Sequence, residues 1–224
     1  DNGSEGSAHI PVLSSMELPS ENYYFLQNGV FSSEESAAEA QAILKEKGMA
    51  SIVDSNDGYR VYAGFSSNRD EALFLSNRIQ QQELETYIKT IERPAITRIE
   101  WPEEGHEALE SYLKGSSEMI RAMNAWTTQL LRPDSNSLTN ERLTQLKDQH
   151  QEWSNHAANV TTAATAELSP HLSKMNAFMN TSVESFMEYT KNPNETYLWQ
   201  AQAAMMQYIL LEQAFIEAVT PQGS

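Results

Sequence analysis

A short pattern occurs twice in this chain and restricts the folds that the chain can adopt. The copies are residues 24–29 and 59–64; each ends in glycine and runs directly into a polar helix-start signal. An alanine then follows at the same distance from each glycine, as Ala37 and Ala72. Similar segments that recur along a chain indicate repeated structural units. We therefore predict two strand–helix units that pack as pseudo-twofold halves, because neither half could bury its apolar face alone.

The stretch around the repeat predicts a small α+β domain at 22–93. Residues 1–21 are rich in Ser, Gly and Pro and predict a flexible linker or tail. Strands are predicted at about 23–31, 50–54, 59–63 and 86–91, with helices at about 33–48 and 68–81. Asp57-Gly58 predicts a hairpin between the two middle strands. This βαββαβ order predicts a four-stranded antiparallel sheet with both helices on one face and the other face open.

Alternation along the strands divides their side chains between the two faces of the sheet. The side chains predicted to face the helices are Tyr24, Leu26, Tyr59, Val61 and Ala63. Those predicted to point to the open side are Phe25, Gln27, Arg60 and Tyr62. A sugar ring offers polar groups at its edge and apolar C–H patches on its faces. Amide, guanidinium and aromatic groups together therefore suit a carbohydrate.

These residues carry a resemblance to a known family. Residues 23–92 resemble a SPOR domain, the sporulation-related repeat of bacterial cell-envelope proteins, whose first strand reads Tyr-x-Val-Gln-x-Gly-x-Phe. The corresponding residues here are Tyr24-Phe25-Leu26-Gln27-Asn28-Gly29-Val30-Phe31, and the second family signature matches residues 59–72. The resemblance implies binding to peptidoglycan glycan strands stripped of their stem peptides, without chemistry on them. The predicted fold class is α+β, a ferredoxin-like βαββαβ domain followed by an all-α bundle.

The resemblance also implies which residues contact the glycan. Gln27 matches the family's glutamine and Arg60 its frequent arginine, and Tyr62 is the expected stacking platform. Alternatively, Gln27 is an ordinary exposed strand residue and Arg60 pairs with an acidic neighbour. Tyr87 and Lys89 extend the face if the last strand has the expected parity. The predicted glycan-binding residues are Phe25, Gln27, Ser32, Ser33, Arg60, Tyr62, Tyr87 and Lys89.

Two departures from the family pattern bear on this site. Asn28 takes an inward position that is usually apolar, and Val30 stands where some members have a small hydroxyl residue. Ser32 and Ser33 are the neighbours that could replace the missing hydroxyl. The fold prediction survives these departures, but a weakened or altered glycan affinity is expected.

The chain is acidic and lacks cysteine, which excludes several functions. A net charge of −16, from 15 basic and 31 acidic residues, opposes binding to nucleic acids and to anionic lipids. A glycan without acidic stem peptides would not be repelled. The count of 0 cysteines excludes disulfides and thiolate chemistry. If the protein is exported, its signal or membrane anchor is expected upstream of residue 1, since no apolar run here is long enough to cross a bilayer.

Beyond Pro94 the sequence changes to long helical periods rich in Ala, Gln, Met and Glu. We predict an all-α bundle of about four helices at 94–220 and a tail at 221–224. The first two helices are predicted at about 102–131 and 137–168. Proline pairs open the third and fourth, at Ser169-Pro170 and Asn192-Pro193. The methionines and aromatics on the apolar seams indicate core packing, with a protein interface around Trp199 and Met205 as the alternative.

Catalytic and metal-binding patterns are weak. Glu103 and His106 have the spacing found in di-iron bundles, but no second pair accompanies them. His150, Glu152 and His156 lack the spacing of a tetrahedral zinc site. Acidic residues are so numerous that no carboxylate pair for glycan cleavage stands out. We therefore expect no enzymatic activity, no catalytic residue, no metal and no cofactor.

The sequence favours a non-enzymatic protein that binds denuded glycan strands and acts as a scaffold. The resemblance implies a place outside the cytoplasm, at the sporulation or division septum, and a role in engulfment. A septal or wall-remodelling protein is the expected second partner, bound by the helical bundle, and nucleic acid is not expected. Two alternatives remain. One is the targeting module of a cell-wall hydrolase, and the other is an adaptor whose bundle is the working part.

Overall fold

The computed structural model describes residues 10–221 and has the α+β class predicted from the sequence. Its strands are β1 Pro11–Leu18, β2 Glu21–Phe31, β3 Ile52–Asp54, β4 Tyr59–Ser66, β5 Tyr87–Arg93 and β6 Ile96–Pro102. Its helices are α1 Glu34–Glu46, α2 Arg69–Gln80, α3 His106–Leu130, α4 Asn140–Ala163, α5 Ser169–Lys191 and α6 Glu195–Val219. None of the helices between residues 10 and 221 has the length and hydropathy of a membrane span.

Strands β2 to β5 form the predicted antiparallel sheet, in the order β3-β4-β2-β5. Helices α1 and α2 pack against β2 and β4. Each begins at a side-chain cap, because Ser33 Oγ accepts the amide of Ser36 and Asn68 Oδ1 accepts the amides of Asp70 and Glu71. Gly58 has a φ of 72° in the hairpin between β3 and β4, a conformation that glycine adopts without strain.

Part of the predicted N-terminal linker is a strand, which corrects the sequence interpretation. Residues 11–18 form β1, which pairs antiparallel with β6 in a separate two-stranded ribbon. Met16 and Leu18 of β1 are buried and anchor the ribbon to the core, whereas Ser14 is half-buried and Ser15 is exposed. Strand β6 occupies the start of the region predicted to be wholly helical. The rest of the predicted tails, residues 1–9 and 222–224, lies outside the described residues.

The four predicted helices of the C-terminal region are present as α3 to α6. Each packs against the next along the chain, and α3 also contacts α5 and α6. The predicted opening of α6 by Asn192-Pro193 is wrong: Asn192 ends α5, and the side chain of Asn194 accepts the amide of Thr196 to begin α6. Asn194, rather than Asn192, caps the helix because its side chain lies close enough to the first free backbone amides of α6 to accept a hydrogen bond from one of them.

A buried hydroxyl joins three helices of this region. Ser116 Oγ of α3 accepts hydrogen bonds from Trp153 Nε1 of α4 at 2.8 Å and from the Tyr208 hydroxyl of α6 at 2.6 Å. It donates in turn to the carbonyl oxygen of Tyr112 at 2.8 Å. Because all these groups are buried, the loss of Ser116 would leave Trp153 Nε1 without an acceptor and the Tyr208 hydroxyl with only a 3.5 Å contact to Glu212 Oε1.

We expect Ser116→Ala to lower the free energy of unfolding by about 2 kcal/mol, since it leaves the buried Trp153 donor unsatisfied and the Tyr208 hydroxyl weakly bonded. Ser173→Ala is the matched control. Ser173 also donates to the carbonyl four residues earlier, but it is exposed. Its replacement should change stability by no more than about 0.5 kcal/mol. Urea denaturation of the two variants and the parent measures the difference, and equal effects would contradict the assigned role.

Candidate functional site

One face of the four-stranded sheet is turned away from α1 and α2. Thr86, just before β5, meets Ser76 of α2 with 2.6 Å between the hydroxyl oxygens, so the next residue, Tyr87, points to the other side. Residues directly opposite in an antiparallel pair share a face. We call the side turned away from the helices the outer face. The register places on it Tyr23, Phe25, Gln27, Val30, Ile52, Asp54, Arg60, Tyr62, Phe65, Tyr87, Lys89 and Ile91.

The outer face is divided into an open end and a covered end. The open end consists of the side chains that keep contact with solvent: Gln27, Val30 (opposite Arg60), Asp54, Arg60, Tyr87 and Lys89. The covered end consists of side chains that are at most 9% exposed: Tyr23, Phe25, Ile52, Tyr62, Phe65 and Ile91. Its aromatic rings pack edge to face, with 5.1 Å between the ring centroids of Phe25 and Tyr62. The expected open face is therefore only partly open.

Helix α6 lies over the covered end. It contacts both β3 and β4. Ile52 of the outer face lines a cavity of about 300 Å³ together with Phe178 of α5 and Ala203 of α6. Gly64 of β4 is so near α6 that a Cβ on it would lie 3.2 Å from the ring of Trp199. The C-terminal helices thus cover the aromatic half of the face.

Two amide side chains fix this cover to the main chain of β4. Strand β3 pairs only with residues 60–62 of β4, so the backbone of Phe65 lacks a neighbouring strand on that side. Gln202 Oε1 of α6 accepts the Phe65 amide at 2.8 Å, and Asn124 Nδ2 of α3 donates to the Phe65 carbonyl at 2.9 Å. Both side chains are fully buried. We call Gln202 and Asn124 the amide clamp.

A buried charge cluster lies where α6 crosses the ends of β2 and β5. Arg93 Nη2 lies 3.1 Å from Glu21 Oε2, and Arg93 Nε lies 3.8 Å from Glu212 Oε2 of α6. Arg121 of α3 also pairs with Glu21. Burial raises the pKa of Glu212 to about 7, although Arg93 acts to lower it. Burial also acts to raise the pKa of Glu21, but hydrogen bonds from Tyr23 and the two arginines outweigh it and lower that pKa.

The structure brings four of the predicted site residues together on the open end. Arg60 Nη1 donates to Gln27 Oε1 at 3.4 Å, and Arg60 Nη2 lies 2.6 Å from Asp57 Oδ2. Tyr87 stands opposite Gln27 on β5, and Lys89 two residues further on faces the same side. Tyr87 is 61% exposed, which makes it the most accessible aromatic ring of the outer face. The alternative that Arg60 pairs with an acidic neighbour across strands is met in part, because its partner is Asp57, three residues earlier in the same hairpin.

The predicted exposure of Phe25 and Tyr62 is wrong. Both side chains point to the predicted face, but both are 0% exposed, at the end of the face where α6 contacts β3 and β4. Tyr62 therefore cannot serve as a stacking platform in this state of the chain. Ser33 caps α1 with its hydroxyl, whereas Ser32 is exposed beside it.

The sequence interpretation did not single out the acidic groups near the open end or the residues of the cover. Asp57 stands three residues before Arg60 in the hairpin, and that local spacing is a signal that could have revealed the ion pair. Gln202 and Glu212 carry no such signal, since their partners are more than a hundred residues away in the sequence.

The weak metal-binding patterns noted in the sequence do not come together as metal sites within residues 10–221. Within residues 10–221, no group of three or more His, Cys, Asp or Glu side chains is placed to hold a metal ion. His150 Nε2 instead lies 2.8 Å from Asn180 Oδ1, and its ring stacks on Trp153. These contacts account for His150 as a packing residue of the helical region.

A four-stranded antiparallel sheet of βαββαβ order, with two helices on one face, defines a small α+β binding module. Residues 20–90 match the family model of the SPOR domain, and this part of the chain is a SPOR domain. The match covers less than half of the chain. SPOR domains are non-catalytic peptidoglycan-binding modules of extracytoplasmic division and sporulation proteins. Comparisons with curated proteins and with solved structures give no match.

We expect Tyr62→Phe to raise the free energy of unfolding by about 1 kcal/mol. The Tyr62 hydroxyl is buried and finds no hydrogen-bond partner among the described residues, so its removal relieves a desolvation cost. Burial, followed by the charge of Asp54, raises the pKa of this hydroxyl to about 12. Tyr208→Phe is the control with a bonded hydroxyl, and it should destabilise by about 1 kcal/mol. A loss of stability in Tyr62→Phe would show that its hydroxyl has a partner.

We expect Glu212→Gln to remove a pH dependence of stability. The pKa of Glu212 is about 7 in the folded chain and 4.5 ordinarily, so the folded state binds more protons between these values. Stability is therefore lost as the pH rises from 4.5 to 7, by about 3 kcal/mol in total.

Urea unfolding at about pH 5 and pH 8 tests this expectation. The parent and Glu217→Gln, a change at an exposed site on the same helix, should both lose stability at the higher pH. Glu212→Gln should lack the part of this pH dependence that comes from the titration of Glu212. If Glu212→Gln and the parent give parallel pH profiles, burial of Glu212 does not perturb its titration.

Proposed function

We propose that the SPOR domain of this chain binds denuded glycan strands of peptidoglycan at the open end of the outer face. The observation that carries the proposal is the grouping of exposed Tyr87 with half-buried Gln27, Arg60 and Lys89 on one face of a SPOR domain. These side chains supply an amide, a guanidinium, a phenol ring and an ammonium group. They match the edge hydroxyls, acetamido groups and C–H faces of amino sugars.

The hydrogen bond between Arg60 and Gln27 assigns them different roles. Because Gln27 Oε1 accepts from Arg60, its Nε2 group is the part left to donate to a ligand carbonyl, such as that of an acetamido group. Asp57 holds the other end of the Arg60 guanidinium. Arg60 is therefore a positioning residue. Tyr87 offers the exposed ring for stacking, and Lys89 offers donors one step further along β5.

Charge supports a preference for strands without stem peptides. Asp54 belongs to the open end and Asp57 lies beside it, and the chain as a whole carries a net charge of −16. Carboxylates on intact stem peptides would be repelled by this surface, whereas neutral sugars would not. The proposed ligand is therefore the bare glycan, with Ser32 as an exposed hydroxyl near the end of β2.

The same proposal extends to the cellular role. Glycan binding would place the chain at the division septum during sporulation and engulfment, anchored to the membrane through a segment upstream of this sequence. The chain would act there as a non-enzymatic scaffold. Its helical region, which surrounds one end of the SPOR domain, would take a septal or wall-remodelling protein as partner. The family match supports the wall-binding part of this role.

We expect Tyr87→Ala and Gln27→Ala each to weaken retention on amidase-treated peptidoglycan by roughly tenfold, the equivalent of about 1.4 kcal/mol. Thr90→Ala is the matched control, because Thr90 is exposed on β5 next to Lys89 but points to the opposite face. Sedimentation with treated and untreated sacculi measures retention. The parent and the control should prefer treated sacculi. Equal retention of all four proteins on both sacculi would reject the proposed site.

A further inference from the structure

We infer that the C-terminal helical region is a displaceable cover, and that glycan strands compete with α6 for the outer face. This inference rests on the proposed function, because it concerns regulation of the same site. In the closed state described here, only the open end is available. Displacement of α6 would add the rings of Phe25 and Tyr62 to it and would lengthen the binding face along the strands.

The first support is continuity between the two ends. Phe25 lies two residues from Gln27 on β2 and directly opposite Lys89 on β5. Tyr62 lies two residues from Arg60 on β4, opposite Gln27. Gln27, Arg60 and Lys89 of the open end thus each have a buried aromatic neighbour at the covered end. A polymer laid along the open end toward these rings would meet α6.

The second support is the composition of the contact between α6 and the sheet. Several buried polar atoms there find no hydrogen-bond partner within residues 10–221: the Tyr62 hydroxyl, Gln202 Nε2 and Arg93 Nη1. Each such atom costs about 1–3 kcal/mol relative to its hydrated state. Separation of α6 from the sheet would let water satisfy all of them. A contact with this many unsatisfied groups is weaker than its packing alone would make it.

The third support is a pair of exposed connections that can act as a hinge. Pro19 and Ser20 separate β1 from β2, and residues 94–95 separate β5 from β6. All four residues are exposed, and the flanking pairs Leu18–Ile96 and Glu21–Arg93 show that the two breaks lie side by side. The ribbon of β1 and β6 contacts α3 and α6. It can therefore move with the helices, while the four-stranded sheet stays on the other side of the hinge.

Identifiable contacts hold the closed state. The amide clamp binds the backbone of Phe65, Gln213 donates to the carbonyl of Glu92 at 2.9 Å, and Glu212 lies beside Arg93. A substitution of Gln202 is the most direct test of these contacts. The loss of Gln202 leaves the Phe65 amide unsatisfied only while α6 is in place, so it should favour the open state.

The test uses the full chain and two variants with opposite expected effects. Gln202→Ala should speed hydrogen exchange at the Phe65 amide and raise the affinity for amidase-treated sacculi by roughly five- to tenfold, because it destabilises the closed state. Tyr62→Phe should lower that affinity by up to roughly fivefold, because it removes an unsatisfied group from the closed state alone. Gln200→Ala, at an exposed site on α6, is the control and should match the parent.

Each outcome decides a different point. Opposite shifts in affinity for the two variants, with retained helical circular dichroism, support the displaceable cover. Faster exchange in Gln202→Ala with unchanged glycan affinity overturns the competition and leaves the proposed function intact. Unchanged exchange at Phe65 also overturns it, since Gln202 would then not hold the cover. If the parent and every variant fail to bind treated sacculi, the proposed function fails and the inference fails with it.

Discussion

The backbone of Phe65 imposes the requirement on which the arrangement of this molecule depends. Its amide and carbonyl lie beyond the end of β3 and must find partners, because a buried peptide group without a hydrogen bond is costly. Gln202 and Asn124 supply those partners with side-chain amides, which copy the donor and acceptor of a missing strand. The SPOR domain and the helices are therefore joined by hydrogen bonds from helix side chains to the backbone of β4 as well as by apolar packing.

This junction decides which part of the sheet is available to a ligand. Once α3 and α6 are held at the end of β4, α6 lies over Phe25 and Tyr62, and Glu212 comes to rest near Arg93. The exposed remainder is mostly polar, with Tyr87 as its main accessible ring. Asp57 holds the guanidinium of Arg60 at this end of the face.

Local signals predicted the elements correctly where the reason for each element is itself local. Ser33 and Asn68 begin their helices by bonds to amides within three residues, and the repeated strand pattern predicted the four-stranded sheet. Side-chain parity also predicted the correct face for Phe25 and Tyr62. Their exposure could not be predicted, because it depends on a helix far along the chain. Strand β1 was missed since its order depends on pairing with β6.

The ribbon of β1 and β6 makes the SPOR domain an insertion, because the chain enters it from β1 and leaves it into β6, its pairing partner. Two tethers side by side allow rotation about one axis and suppress the free tumbling that a single linker permits. Force applied to the four-stranded sheet would therefore reach the helical side as a torque about a defined line. Domains that are joined by a single flexible linker cannot transmit a torque in this way.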